Sequence, residues 1–207
     1  GGSEPSRSVL RRIAGSDPSR AVRQRALGAL VEGFAPPEAS ALRLPEARRL
    51  VSVYAPAERE LFSPRVLIST RYGTIEIVLD LVDAPLTSTS FVRLAQAGFF
   101  NGLTFHRVVA GFLVQAGDPR GDGYGGSAVT IRCEYNTHPY GRGAVGMART
   151  GKDTSSSQFF IALEPQPHLD GAYTQFGHVL SGMEVADRLR PGDVIERIDV
   201  FDGREAR

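Results

Sequence analysis

The chain of 207 residues has no tryptophan, a single cysteine and a single lysine. A lone Cys133 rules out an intrachain disulfide and a cysteine-rich zinc site, and it reads as a small buried hydrophobe. Long apolar runs are missing too. Stretches such as Phe112-Leu113-Val114 fall far short of the ~18 residues that span a bilayer, so no membrane partner is expected. Neither sign of charge is in excess, because 24 Lys and Arg against 23 Asp and Glu leave a net charge of +1. That balance supplies no field to draw in nucleic acid, which is therefore not expected as a partner. Lys152 is the single lysine and the rest of the positive charge is arginine, a bias that a GC-rich genome explains as readily as a function. With 42% hydrophobic and 23% charged residues, what remains is a globular chain long enough for one domain or one and a fraction.

Several chemistries lack their residues. The histidines His106, His138, His168 and His178 do not show the short paired spacing of a metal site, so neither metal nor cofactor is expected. Ser155 to Ser157, a histidine and Asp118 supply the ingredients of a hydrolase triad, but no Gly-x-Ser-x-Gly elbow surrounds any of the serines. Gly121-Asp-Gly-Tyr-Gly-Gly126 is glycine-rich like a phosphate loop, yet no Gly-Lys-Ser/Thr follows it.

The chain reads in two parts. Residues 1–62 are helical in pattern, with Asp17-Pro18 as a helix start and Val22, Ala26, Ala29 and Leu30 at helical spacing. The string from Asp17 to Leu30 resembles one helix of a HEAT-type repeat, a unit that buries its faces only against neighbours. Two readings stay open: a helical extension packed on the main domain, or the last piece of a helical solenoid. The opening Gly1-Gly2-Ser3-Glu4 carries no secretory pattern and reads as a tag remnant or excised fragment. The expectation is a soluble protein of bacterial cytoplasm or periplasm whose original N-terminus is missing.

Residues 63–207 are strand-rich. Val66–Thr70 and Thr74–Leu79 form a hairpin around Gly73, and a helix opening at Asp83-Ala-Pro85 carries Phe91, Leu94 and Ala95. Further strand candidates are Thr104–Val108, Phe112–Ala116, Val129–Ile131, Val145–Ala148, Gln158–Ala162, Gln175–Val179 and Val194–Val200, with a second helix at Met183–Leu189. About eight short strands, glycine-rich turns and two helices predict a mainly β fold: a closed eight-stranded antiparallel barrel capped by helices.

Two segments carry the chemistry. One is Phe105-His-Arg-Val-Val-Ala-Gly-Phe-Leu-Val-Gln-Ala-Gly-Asp118; the other runs from Met147-Ala148 through Ser157-Gln-Phe-Phe-Ile161 to Leu169-Asp-Gly171 and Phe176-Gly177. Their order and spacing closely resemble the cyclophilin family of peptidyl-prolyl isomerases over about residues 65–202. The residues fit such a task in their own right. An X-Pro amide isomerises over ~18–20 kcal/mol because rotation breaks C–N resonance. In the twisted state the prolyl nitrogen gains a lone pair, and a donor aimed there binds that state selectively. Arginine, always charged and with donors in a rigid fork, suits the position.

The resemblance implies roles. Arg107 is the electrostatic catalyst and Gln115 orients it. Phe112, Leu113, Phe160 and Leu169 hold the proline ring, and Gln158 fixes the polar network. The backbone at Ala148 and Arg149 anchors the peptide, and Tyr124 borders a neighbouring subsite. Tyr173, where many members have histidine, keeps an aromatic wall. His168, where many carry tryptophan, implies weak cyclosporin binding. The partners implied are proline-containing peptides or unfolded proteins. Strand alternation puts Phe105 and Arg107 on one face, so His106 points into the barrel in a structural role. The competing function is a catalytically weak proline-peptide binding module, tethered by the helical segment to a larger assembly.

Overall fold

A computed structural model describes residues 63–201. The expected helical extension and HEAT-like string, residues 1–62, lie outside the described residues. The described chain forms β1 (Arg65–Thr70), β2 (Gly73–Leu79), α1 (Pro85–Gln96), β3 (Arg107–Val109), β4 (Leu113–Ala116), β5 (Ala144–Met147), β6 (Phe159–Ala162), a 3-10 turn (Pro167–Leu169), β7 (Gln175–Ser181), α2 (Met183–Arg188) and β8 (Arg197–Phe201). The strands make one antiparallel sheet in the order β3-β4-β6-β5-β7-β2-β1-β8.

The fold is mainly β with two helices, as expected. The ladder itself is not a closed ring of eight strands, because β3 and β8 end the sheet without pairing to each other. β3 is only three residues long and has too little backbone to zip along β8. The irregular segments before these two strands meet instead. Gly102 N–H donates to Ile195 O at 2.8 Å, Ile195 N–H to Leu103 O at 2.8 Å, Phe105 N–H to Asp193 O at 2.8 Å and Gly192 N–H to Phe105 O at 3.0 Å. The expected strand at Val129–Ile131 is likewise reduced to one bridge, between Ile131 and Ser155.

Two-residue periodicity sorts the side chains onto two faces. Val114 and Ala116 of β4, Val145 and Met147 of β5, and Phe159 and Ile161 of β6 all face the main core. There Phe91 of α1 sits 4.8 Å from Phe100, 5.1 Å from Phe159 and 5.4 Å from Phe176, ring centre to ring centre. The alternate residues, Leu113, Ala144, Phe160 and Ala162, build a second apolar cluster on the opposite face with Tyr140 and Leu169.

α1 starts at a proline, but its N-cap, Ala84, has no side chain able to cap it. The acceptor comes from far along the chain: Glu134 takes the N–H groups of Leu86 (2.9 Å) and Thr87 (2.8 Å) and the Thr87 hydroxyl (2.7 Å). This satisfies donors that every helix start leaves open.

Candidate active site

The second apolar cluster and the polar motif residues meet in one row across the sheet. Arg107 on β3 lies opposite Gln115 on β4, Gln115 opposite Phe160 on β6, and Phe160 opposite Gly146 on β5. A guanidinium, an amide, a phenyl ring and a gap thus follow one another on the outer face. The gap is required. A Cβ at Gly146 would lie 2.3 Å from the Phe160 ring and 2.5 Å from the Tyr140 hydroxyl oxygen.

Arg107 is exposed, and its Nη1 donates to Gln115 Oε1 at 3.3 Å. Gln115 Nε2 donates to Gln158 Oε1 at 2.8 Å. Gln158 Nε2 donates to the carbonyls of Gly123 (3.0 Å) and Gly125 (2.7 Å). The Arg107 guanidinium also stands 5.5 Å from the centre of the Phe112 ring, within cation–π range.

The apolar side is walled by aromatic rings. The turn Pro167–Leu169 buries Leu169 and stacks His168 on Phe112, centroids 5.6 Å apart. Phe160 is packed between Tyr140, stacked at 5.7 Å, and Tyr173, edge-on at 5.9 Å. Phe112, Ala148 and Tyr173 are only partly buried against this cluster, so apolar surface stays open beside the guanidinium. Burial pushes the Tyr140 hydroxyl far above the ordinary tyrosine range, and among the described residues it has no hydrogen-bond partner.

Every residue singled out from the sequence can be placed in this frame. Arg107, Gln115 and Gln158 form the polar chain. Phe112, Leu113, Phe160, Leu169, Ala148, His168 and Tyr173 form or flank the apolar cluster. Arg149 does more than lend backbone: its Nε and Nη2 donate to Ala172 O at 3.1 and 2.8 Å, and its guanidinium covers Tyr173 at 4.8 Å. Tyr124 is 80% exposed at the tip of the glycine-rich loop.

Two expectations need correction. Phe105 is fully buried in the main core whereas Arg107 is exposed, so the two do not share a face. The regular strand begins only at Arg107, and alternation cannot be extended back through Phe105. Cys133 is half-buried, not buried; its Sγ accepts the Asp153 N–H at 3.2 Å. His106 is half-buried, and its two ring nitrogens are shielded without a hydrogen-bond partner among the described residues. Burial lowers its proton affinity, outweighing the nearby Asp118 carboxylate.

Sequence reasoning missed Gly146, Tyr140, Ala144 and Ala162. Their signal was available only as small or aromatic residues at alternate positions beside Val145, Met147 and Ile161. It also missed one group of metal-ligand type. Asp80, Asp83 and His138 bring ligand atoms within 4.8 Å of one another, although His138 lies 55 residues beyond Asp83 in the chain. His138 Nε2 already lies 2.8 Å from Asp83 Oδ2 and 3.2 Å from Asp80 Oδ2, which accounts for the group as a hydrogen-bonded contact between side chains. A cavity of about 300 Å³ adjoins it, lined by Asp80, His138, Gln175 and His178. Among the described residues no arginine lines it, and β2, which borders it, is well removed from β4 in the sheet order.

Among the described residues no helix is long and apolar enough to cross a membrane. Comparison with known proteins bears on the same segment. Residues 65–201 match the family model for cyclophilin type peptidyl-prolyl cis-trans isomerase. Peptidyl-prolyl cis-trans isomerase B of Bacillus subtilis is 51% identical over 128 residues, covering 61% of this chain and 90% of that protein. A peptidyl-prolyl cis-trans isomerase of Helicobacter pylori is 43% identical over 153 residues, covering 72% of this chain and 94% of that protein. A crystal structure of a Cryptosporidium parvum cyclophilin type isomerase superimposes with a TM-score of 0.64 at 29% identity, over 68% of this chain and 98% of that one. A second structure of that protein, in the presence of the dipeptide Ala-Pro, gives 0.63 at 28% identity over 67% and 99% of the two chains. The chain belongs to the cyclophilin-type peptidyl-prolyl cis–trans isomerases.

Proposed function

We propose that Arg107 stabilises the twisted prolyl bond while the cluster of Phe112, Leu113, Phe160 and Leu169 holds the proline ring. The observation that carries this reading is the row Arg107–Gln115–Phe160, which sets an exposed guanidinium and a packed apolar ring on the same sheet face. Rotation about the X-Pro bond moves electron density onto the prolyl nitrogen. The Arg107 donors then bind the twisted state better than either planar isomer, and each ~1.4 kcal/mol of that preference is a tenfold rate. Gln115 restrains the guanidinium, so little reorganisation is left for the reactive moment. The reaction breaks no covalent bond and calls for no nucleophile.

The peptide main chain is proposed to run past Ala148 and Arg149, and the residue preceding the X-Pro pair to face the loop at Tyr124. The Ala-Pro dipeptide accompanying the Cryptosporidium parvum structure supports a short X-Pro unit as the minimal ligand. An isomerase assay on a proline peptide, with binding measured in parallel, tests the assignment. Arg107→Ala should lose most of the acceleration and keep its affinity. Full acceleration by Arg107→Ala would refute it.

Three further readings go with this one. Cyclosporin should bind weakly, since His168 offers a smaller ring than indole; an inhibition titration decides it. A domain boundary near residue 62 is supported by the family match starting at residue 65, and a truncation to 63–207 that fails to fold would refute it. A role in folding unfolded chains in bacterial cytoplasm or periplasm is part of the same reading, supported by bacterial relatives named as isomerases; fractionation of the source cells separates the compartments.

A further inference from the structure

The polar chain behind Arg107 has a direction, because each primary amide has a donor end and an acceptor end. Gln158 Nε2 faces two carbonyl oxygens, Gly123 O at 3.0 Å and Gly125 O at 2.7 Å. Carbonyls only accept, so the opposite orientation would aim the Gln158 oxygen at two oxygens. Gln158 Oε1 is therefore committed to Gln115, which must present its Nε2. Gln115 Oε1 is then the end left for Arg107 Nη1. Were Gln115 reversed, its amide N–H would confront the guanidinium N–H groups. The acceptor that restrains Arg107 is thus selected at the loop, two side chains away.

A carboxylate holds the loop in that shape. Asp118 is 1% exposed. Its Oδ1 accepts the Arg120 N–H at 2.8 Å and its Oδ2 the Gly123 N–H at 2.6 Å. Gly123 is the residue whose carbonyl also receives Gln158. Gly125 makes room for the carboxylate, since a Cβ there would lie 1.8 Å from Asp118 Oδ1. Ser157 fastens both ends of the loop, donating to Gly117 O at 2.7 Å and accepting the Ser127 N–H at 2.9 Å.

We propose that Asp118 is a positioning residue of the isomerase: its buried carboxylate shapes the glycine-rich loop so that the loop carbonyls fix the direction of Gln158, and through Gln115 the acceptor that faces Arg107. This rests on the reading of Arg107 as the group that meets the twisted bond. Asp118 touches no substrate and should act on turnover, not on affinity.

Asp118→Asn keeps the volume but sets an NH2 group against a backbone N–H. In a variant shown to be folded by its melting transition, kcat should fall on the order of tenfold with KM within about twofold. Gln158→Ala should behave alike, and the double variant should be no slower than the slower single, because both act through one path. A folded Asp118→Asn with wild-type kcat, a loss confined to KM, or losses that multiply in the double variant would each overturn the proposal. If Asp118→Asn does not fold, the wild-type protein still decides. The Gln158 side-chain amide protons should exchange with solvent more slowly than those of exposed Gln96, and equal rates overturn the proposal. Arg107→Ala in the same assay separates the two readings. A fully active Arg107→Ala removes the catalytic assignment, whereas a disabled Arg107→Ala beside a fully active Asp118→Asn removes only the role of Asp118.

Discussion

The two faces of the strands β4, β5 and β6 use the same periodicity for opposite ends. Inward, Val114, Val145, Phe159 and Ile161 are wholly buried against α1 and the far strands, with aromatic rings in mutual contact. Outward, Leu113, Phe160 and Leu169 are packed by neighbours on their own face, while Phe112 and Tyr173 leave part of their surface open. No layer of secondary structure covers that outer cluster among the described residues. A core needs apolar residues and nothing else; the outer cluster has a hydrogen-bonded guanidinium beside it, and that addition marks it as a place for a ligand.

Substitution of adjacent residues on β6 puts this contrast under the greatest strain. Phe159→Ala should cost about 3–5 kcal/mol, seen as a large drop in melting temperature, because the cavity left cannot collapse. Phe160→Ala should cost a comparable amount, since Phe160 is only 3% exposed, but unlike Phe159→Ala it should raise KM for a proline peptide strongly. An unchanged KM in both variants would erase the distinction between the faces.

A smaller effect should come from the gap in the row. Gly146→Ala forces the Phe160 ring outward, and overpacking of this kind costs about 1–3 kcal/mol. Its KM should rise as the ring obstructs the groove; a variant with wild-type KM and melting temperature would show that the gap is dispensable. Arg149→Ala should be milder still. Loss of the cation–π contact to Tyr173, about 0.5–1 kcal/mol, corresponds to a few-fold rise in KM with kcat retained. An unchanged KM would reduce Arg149 to its backbone.

The least effect is on stability against pH. Burial lowers the His106 proton affinity from the ordinary value of 6.5, so the unfolded chain takes up the proton first as pH falls. Stability should therefore decline as pH drops below 6.5 toward the lowered native value, and level off beneath it. Denaturant titrations across this window should show the slope flattened in His106→Gln. An identical slope in the variant would assign it to other groups.

Much of the fold was legible because the strands are short and strongly patterned. β1, β2, β4 and β6 lie within a residue or two of their predicted bounds, and the first helix opens at Pro85 as read. The motif residues Arg107, Gln115, Gln158 and Phe160 were legible through family resemblance, which carries long-range information that periodicity lacks. What could not be read depends on contacts between distant segments. Glu134 caps a helix 48 residues earlier. The seam between β3 and β8 forms through irregular backbone with no repeating pattern. Tyr140 lies in no element that the sequence predicts, and only the pairing of β5 with β6 makes Gly146 a feature of the site.

The central claim is that Arg107 discriminates between two geometries of one bond, and binding measures that discrimination directly. A proline peptide and an analogue whose prolyl nitrogen is held pyramidal should be titrated against wild type and Arg107→Ala. The account predicts that the substitution weakens the analogue by roughly the factor it removes from kcat/KM, on the order of 10²–10³, and leaves the planar peptide's affinity almost unchanged. Equal weakening of both ligands, or of neither, would contradict it.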